Sequence, residues 1–336
     1  MALIGYHASH EQFAPGELLA LVRQAEDAGF AAAMCSDHFH PWSAAQGQSG
    51  HAWTWLGGAM AATGFPFGVV TSPVGRYHPA VIAQAAATLA DMHGPRFWLA
   101  VGSGEALNER ITGERWPPKA ERNARLREAV ELMRALWRGE QVDHHGAVVV
   151  EQARLYTHPP KPLPLLAAAL SADTARWAGA WADGLITVSQ PPDKLRALID
   201  AFRDGGGAGK PVHLQVKLSY AKSATQALDG AFEQWRTNVL APVVSEELRT
   251  PAQFEAAAAH VRKEDLRQAV RISSDTSEHV EWLQQDLALG VDQLYLHNVN
   301  REQHAFIEAF GRDVLPQLRA AAAPAPSKRQ PAQDRQ

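Results

Sequence analysis

The chain has 336 residues, of which 46% are hydrophobic and 20% are charged. This composition supports a sizeable buried core and excludes a globally disordered chain. The formal net charge of −4 gives no electrostatic reason to expect nucleic acid or an anionic membrane as a partner.

Cysteine usage and the first residues bear on the compartment. Cys35 is the only cysteine, which excludes an intramolecular disulfide and favours a reducing compartment. Residues 1–7 lack the basic and apolar regions of a signal peptide. No run approaches the roughly 18 consecutive apolar residues that indicate a membrane span. We therefore expect a soluble, cytoplasmic protein.

Apolar strands alternate with amphipathic helices along the chain. The first helix, for example, has Leu18, Leu21, Val22 and Ala25 at helical spacing and ends at Gly29. In chain order, strands and helices are predicted in turn over residues 3–8, 15–29, 31–35, 51–63, 65–72, 79–92, 96–101, 119–137, 163–169, 173–181, 184–189, 193–203, 212–220, 277–289, 293–296 and 302–318.

Eight strands alternating with helices over this length indicate a (β/α)8 TIM barrel. A doubly wound sheet is the alternative. Against it, Gly102-Ser103-Gly104 lacks the third glycine of a dinucleotide-binding motif and follows the fourth strand rather than the first. The sequence therefore predicts a single barrel domain over residues 1–320.

Four segments depart from the simple repeat. Residues 141–156 carry a turn at His145-Gly146 and predict a hairpin, and the glycines at 205–207 predict a flexible break. Residues 223–263 form a helical insertion interrupted by Pro242 and Pro251, which we expect to be either a lid or an oligomer contact. The Ala-, Pro- and Gln-rich residues 321–336 predict a disordered tail.

Polar side chains stand at the ends of the predicted strands, which meet at one rim of a parallel barrel. A histidine and a carboxylate facing one pocket can act as base and acid, and Trp42 can form a flat wall for a planar ring. The strand-end residues are His7, Asp37, His38, Thr71, Ser72, Ser103, Glu105, Ser189, Tyr220, His297 and Asn298.

Structural roles and a metal site are the competing explanations. His38 can cap the following loop, Glu105 can face a helix dipole, and Trp42 can belong to the core. The His38-Phe39-His40 motif can also bind a metal, as in barrel hydrolases. It lies at the second strand, beside a proline, and no HExxH motif accompanies it. A metal-dependent hydrolase is therefore a remote alternative.

Three segments together resemble the luciferase-like flavin-dependent oxidoreductases. They are residues 36–42 (SDHFHPW), 76–84 (RYHPAVIAQ) and 102–109 (GSGEALNE). Within that family they are similar to the branch of F420-dependent glucose-6-phosphate dehydrogenases, and most of all to a sub-branch of probable non-F420 flavin oxidoreductases.

The resemblance implies a TIM barrel with an insertion and a flavin or deazaflavin ring at the strand ends. By matching position, His38 is the catalytic histidine, Trp42 the tryptophan beside the ring and Glu105 the catalytic acid. The positions implied to contact the cofactor are Asp37, Ser103 and Gly104, with the third-strand end Val69, Val70, Thr71 and Ser72 behind the ring.

Two departures from the dehydrogenase pattern bear on the cofactor and substrate. Leu170-Ser171 replaces a double glycine that can cradle the cofactor phosphate. Gln190-Pro191-Pro192 replaces the lysine expected to hold a sugar phosphate. Both argue against glucose 6-phosphate, and the first also argues against F420. They fit a shorter cofactor such as FMN, with its phosphate held by Ser171, Arg176 or Ser189.

The sequence thus predicts an oxidoreductase that exchanges a hydride between a flavin and a small organic substrate. FMN is preferred, with O2 as a further reactant if the enzyme is a monooxygenase. An F420-dependent dehydrogenase of an alcohol or sugar phosphate is the alternative, and a non-catalytic flavin-binding barrel is a third hypothesis. A flavin reductase is a candidate partner, and we expect a homodimer.

Overall fold

Eight parallel strands close into a barrel in the computed structural model, which describes residues 3–321. The order around the barrel is β1-β2-β3-β4-β7-β8-β9-β11, and β11 returns to pair with β1. β5 and β6 form a separate antiparallel hairpin, and the short β10 adds to β9. The strands are β1 (Leu3–Ala8), β2 (Ala32–Ser36), β3 (Phe67–Thr71), β4 (Phe97–Val101), β5 (Val142–His145), β6 (Val149–Ala153), β7 (Leu165–Ala168), β8 (Gly184–Val188), β9 (Val212–Ser219), β10 (Arg271–Ile272) and β11 (Gln293–Asn298).

Helices surround this barrel, and most of them bury apolar residues against it. The predicted TIM barrel is therefore confirmed, and the hairpin lies where the sequence predicted it. The helices are α1 (Pro15–Asp27), α2 (Ala52–Ala62), α3 (Pro79–His93), α4 (Ala106–Glu109), α5 (Lys119–Trp137), α6 (Ala172–Gly179), α7 (Pro192–Phe202), α8 (Ala224–Trp235), α9 (Pro242–Ser245), α10 (Pro251–Ala257), α11 (Thr276–Ala288), α12 (Gln303–Ala309) and α13 (Leu315–Ala321).

The lower part of the barrel interior is filled by side chains that alternate with the outward-facing residues of each strand. Trp98 spans the interior, and its Nε1 donates a hydrogen bond to the Tyr295 hydroxyl at 3.1 Å. Gly68 makes room for this indole ring, because a Cβ at that position would lie 1.9 Å from it. These side chains therefore fill the barrel interior near the amino-terminal ends of β3, β4 and β11.

Two segments differ from their predictions. The glycines at 205–207, predicted to be a flexible break, pack closely against α6, and a Cβ on Gly205 would lie 1.9 Å from the carbonyl oxygen of Arg176. Close packing accounts for Gly205 and for Gly207, whose Cβ would lie 2.5 Å from the Phe202 ring, whereas Gly206 has φ +107°, a conformation that favours glycine. The closing helix, predicted as one element, is interrupted by a π-helical turn between α12 and α13. The predicted tail lies outside the described residues, apart from Ala321 at the end of α13.

Candidate active site

A cavity of about 520 Å³ opens at the carboxyl ends of the barrel strands. The insertion supplies one of its walls, through residues of α8, α9 and α10 and the chain between them. Most of the predicted site residues line this cavity, namely Asp37, His38, Trp42, Val70, Thr71, Ser72, Ser103, Gly104, Glu105 and Ser189.

Three predicted cofactor contacts are not brought to the cavity. Val69 is fully buried in the layer between barrel and helices, because it alternates with the cavity-facing Val70. Ser171 caps α6 by accepting a hydrogen bond from the Thr174 amide. Arg176 lies on the exposed face of the same helix and pairs with Asp204 at 3.4 Å. The geometry therefore gives no support for Ser171 or Arg176 as phosphate ligands.

His38 forms an ion pair with Glu11, a residue that the sequence analysis missed. Glu11 lies in the loop after β1, and its carboxylate contacts Nδ1 of His38 and accepts a hydrogen bond from the Ser9 hydroxyl at 2.7 Å. Burial opposes a charged imidazole, but the charge and hydrogen bond of Glu11, with the charge of Glu105, raise the pKa of His38 above its usual value. Glu11 therefore stabilises the protonated form of His38. The sequence feature that could have identified Glu11 is its position, four residues after His7 at the end of the first predicted strand.

Trp42 stands against His38 and is fixed by the insertion. The edge of one ring meets the face of the other at a centroid distance of 5.4 Å. Trp42 also packs against the ring of Phe254 of α10, at a centroid distance of 5.2 Å. Since Phe254 is fully buried, the insertion holds this tryptophan in place.

Glu105 presents a protonatable carboxyl group to the same cavity. Burial raises its pKa, His38 opposes this effect, and the carboxylates of Glu246 and Glu11 reinforce it. Its buried Oε2 has no hydrogen-bond partner within the described residues. Glu105 is thus suited to donate or accept a proton or hydrogen bond from a ligand.

Asp37 is engaged by its neighbours, unlike Glu105. It accepts hydrogen bonds from Nε1 of Trp53 at 3.0 Å and from the Thr71 hydroxyl at 2.8 Å, and it pairs with Arg76 at 2.7 Å. Arg76, also missed by the sequence analysis, contacts a second buried acid, Glu109, at 3.6 Å. We infer that Asp37 ties the ends of β2 and β3 to the loop that carries Arg76.

Neutral histidines form the floor of the cavity. The rings of His7 and His297 stack at 4.2 Å, burial lowers the pKa of His7 to about 4, and burial together with His7 holds the pKa of His297 well below its usual value. Gln12 donates its side-chain N–H groups to Gln234 and to a backbone carbonyl, so its oxygen accepts from Nε2 of His297 at 2.9 Å. The floor is therefore polar but uncharged at these positions.

The lining fits the polar edge and flat face of a flavin or deazaflavin ring. The buried hydroxyls of Ser72 and Thr187 have no hydrogen-bond partner among the described residues, although both residues line the cavity. Gly104 has φ +78°, and a Cβ there would lie 2.9 Å from the Ser72 hydroxyl. Ser72 and Thr187 would hold polar atoms of such a ring, and Val70 would contact its face.

The two histidines of the His38-Phe39-His40 motif do not share a partner. His40 turns its Nδ1 to the Leu107 carbonyl at 2.8 Å, whereas Nδ1 of His38 faces Glu11, so the two imidazoles engage different partners. Within residues 3–321 no cluster of three or more His, Cys, Asp or Glu residues could hold a metal ion.

None of the helices in that range has the length and hydropathy to cross a membrane.

Comparisons with known proteins identify the family. Residues 2–293 match the model of the luciferase-like monooxygenase family. An F420-dependent glucose-6-phosphate dehydrogenase from Beutenbergia cavernae is 37% identical, over 95% of this chain and 98% of that protein. One from Segniliparus rotundus is 38% identical, over 94% and 98%. The structure of an F420-dependent secondary alcohol dehydrogenase with an F420-acetone adduct superposes with a TM-score of 0.87, at 29% identity, over 94% of this chain and 99% of that one.

The matches cover nearly the whole chain and agree with the barrel fold. They confirm the resemblance seen in the sequence, including its F420-dependent glucose-6-phosphate dehydrogenase branch. The protein is an oxidoreductase that belongs to the luciferase-like monooxygenase family.

Proposed function

We propose that this protein is an F420-dependent dehydrogenase that exchanges a hydride with a small alcohol or carbonyl compound. The observation that carries the proposal is the ion pair between half-buried His38 and buried Glu11, which shares one cavity with Glu105. The relatives named as F420-dependent dehydrogenases support this cofactor over FMN. When bound, F420 would supply the hydride acceptor.

Residues of the chain would accept the hydroxyl proton of the substrate and donate a hydrogen bond to its oxygen. Glu11 occupies Nδ1 of His38 and leaves Nε2 for the substrate. During alcohol oxidation Nε2 would accept the hydroxyl proton, and the Glu11 carboxylate would stabilise the imidazolium that forms. Glu105 would donate a hydrogen bond to the substrate oxygen from its protonated carboxyl group.

FMN remains a second candidate cofactor because of one observation at the cavity wall. Leu170 lines the cavity where the dehydrogenase pattern has a glycine, and the residue is 54% exposed. Such a side chain occupies space near the start of α6 that a longer cofactor would need. With FMN, a flavin reductase would supply electrons, and O2 would be a reactant.

A binding titration separates the two cofactors. F420 and FMN are titrated separately into purified protein, and binding is followed by the absorbance of each ring. We expect F420 to bind more tightly and to be reduced when a secondary alcohol is added. Tighter binding of FMN would overturn the F420 proposal and favour the flavin enzyme.

Two further outcomes distinguish the remaining hypotheses. Binding of a cofactor without reduction by any alcohol or other electron donor would indicate a non-catalytic barrel. Activity that a chelator abolishes, with stoichiometric metal in the purified protein, would point to a metal-dependent hydrolase.

A further inference from the structure

Two cationic side chains enter the cavity from the first turn of α5. Lys119 is the first residue of this helix and Arg122 follows one turn later, so both lie on one face. The preceding Pro118 provides no side-chain cap, and the helix end itself favours negative charge. This turn is therefore an electropositive part of the cavity wall.

Arg122 is held rigidly and is nearly inaccessible to solvent. Its side chain is 4% exposed, Nη1 donates to the Pro117 carbonyl at 2.9 Å, and the guanidinium lies over the Trp116 ring at 4.2 Å. Its Nε has no hydrogen-bond partner within the described residues. A buried guanidinium fixed in this way requires an anion beside it.

Glu246, in the insertion, supplies that anion. Its Oε2 accepts from Nη2 of Arg122 at 2.9 Å, and its Oε1 contacts Nζ of Lys119 at 3.3 Å. One carboxylate thus faces two cations, which leaves the group with a net positive charge. A phosphate or carboxylate from a ligand matches the same donors.

The helix that precedes Glu246 is weakly attached to the protein. α9 has four residues and none of them is buried, and Val243 is 79% exposed. Few apolar contacts would be lost if this segment moved, so its displacement costs little free energy. Glu246 can therefore yield its place to a ligand.

We propose that Lys119 and Arg122 bind the phosphate or carboxylate group of a ligand in the cavity, and that Glu246 occupies this site until the ligand displaces it. The proposal rests on the proposed function only in that a substrate or cofactor enters this cavity. The anionic group can belong to an acidic or phosphorylated alcohol, or to the cofactor.

Calorimetric titration with inorganic phosphate, without any cofactor, tests the site. Glu246→Gln removes the competing charge and should bind phosphate about tenfold more tightly than the unaltered protein. Glu247→Gln is the matched control, since this exposed neighbour lies outside the cavity lining, and it should bind as the unaltered protein does. Lys119→Ala changes a half-exposed side chain and should abolish phosphate binding. Equal affinities of the Glu246→Gln and Glu247→Gln variants would overturn the proposal, as would unchanged binding by Lys119→Ala.

Competition identifies the source of the anion. If protein loaded with F420 or FMN still binds phosphate, the site serves the substrate. If the intact cofactor blocks phosphate but its phosphate-free ring fragment does not, the site serves the cofactor. Failure of both cofactors to bind, with the phosphate response intact, would remove the proposed function and leave this site standing.

Discussion

Replacing Glu109 with glutamine should stabilise the protein at alkaline pH and change its stability much less at acid pH. Glu109 is 6% exposed, and burial raises its pKa from 4.5 to about 7, although Arg76 opposes the effect. The folded protein therefore binds this proton more tightly than the unfolded chain does. Stability is lost as the pH rises from 4.5 towards 7, because the unfolded chain ionises first.

The size of the effect follows from the two pKa values. The pKa of Glu109 rises from 4.5 in the unfolded chain to about 7 in the folded protein. At ~1.36 kcal/mol for each pKa unit, ionisation of Glu109 lowers the free energy of unfolding by roughly 3 kcal/mol. Glutamine cannot ionise, and its oxygen can still accept the hydrogen bond that the Arg76 amide gives to Glu109 at 2.7 Å. Arg76 then keeps Asp37 as its single ionic partner.

Urea unfolding at pH 5 and pH 8, followed by tryptophan fluorescence, measures this difference. The free energy of unfolding of Glu109→Gln, relative to the unaltered protein, should increase by about 2–3 kcal/mol between the two pH values. Glu114→Gln is the control, since this exposed acid should give the same difference at both. An equal difference for Glu109→Gln at pH 5 and pH 8 would refute the reasoning.

The remaining predictions concern the proton-transfer residues and the barrel floor. His38→Ala and Glu105→Gln should each lower turnover by about 10²–10⁴-fold while cofactor titrations stay nearly unchanged, and full activity in both variants would refute their assigned roles. Glu11→Gln removes the charge that raises the pKa of His38, so the rising limb of the pH profile for alcohol oxidation should move to lower pH. An unchanged pH profile would show that Glu11 does not set the pKa of the catalytic base. Gly68→Ala places a Cβ 1.9 Å from a buried indole and should lower the free energy of unfolding by at least about 1–3 kcal/mol, whereas Gly57→Ala, with no atom within 4 Å, should not destabilise the protein.

The sequence by itself determined the barrel and the part of the site that lies on single strand ends. His38, Trp42 and Glu105 were predicted because the alternation of strands and helices is a local pattern. In a parallel barrel that pattern places every strand end at one rim. The resemblance carried by residues 36–42, 76–84 and 102–109 named the same positions.

Only the tertiary structure decided which partners those residues have. Glu11 meets His38 because β1 and β2 pair side by side, and Phe254 reaches Trp42 because the insertion folds back over the rim. Arg176 was expected at the cofactor phosphate, but the rotation of α6 turns it to solvent and to Asp204. Pairing of distant segments and the rotation of a helix about its axis depend on packing against the whole barrel, which no local pattern of residues specifies.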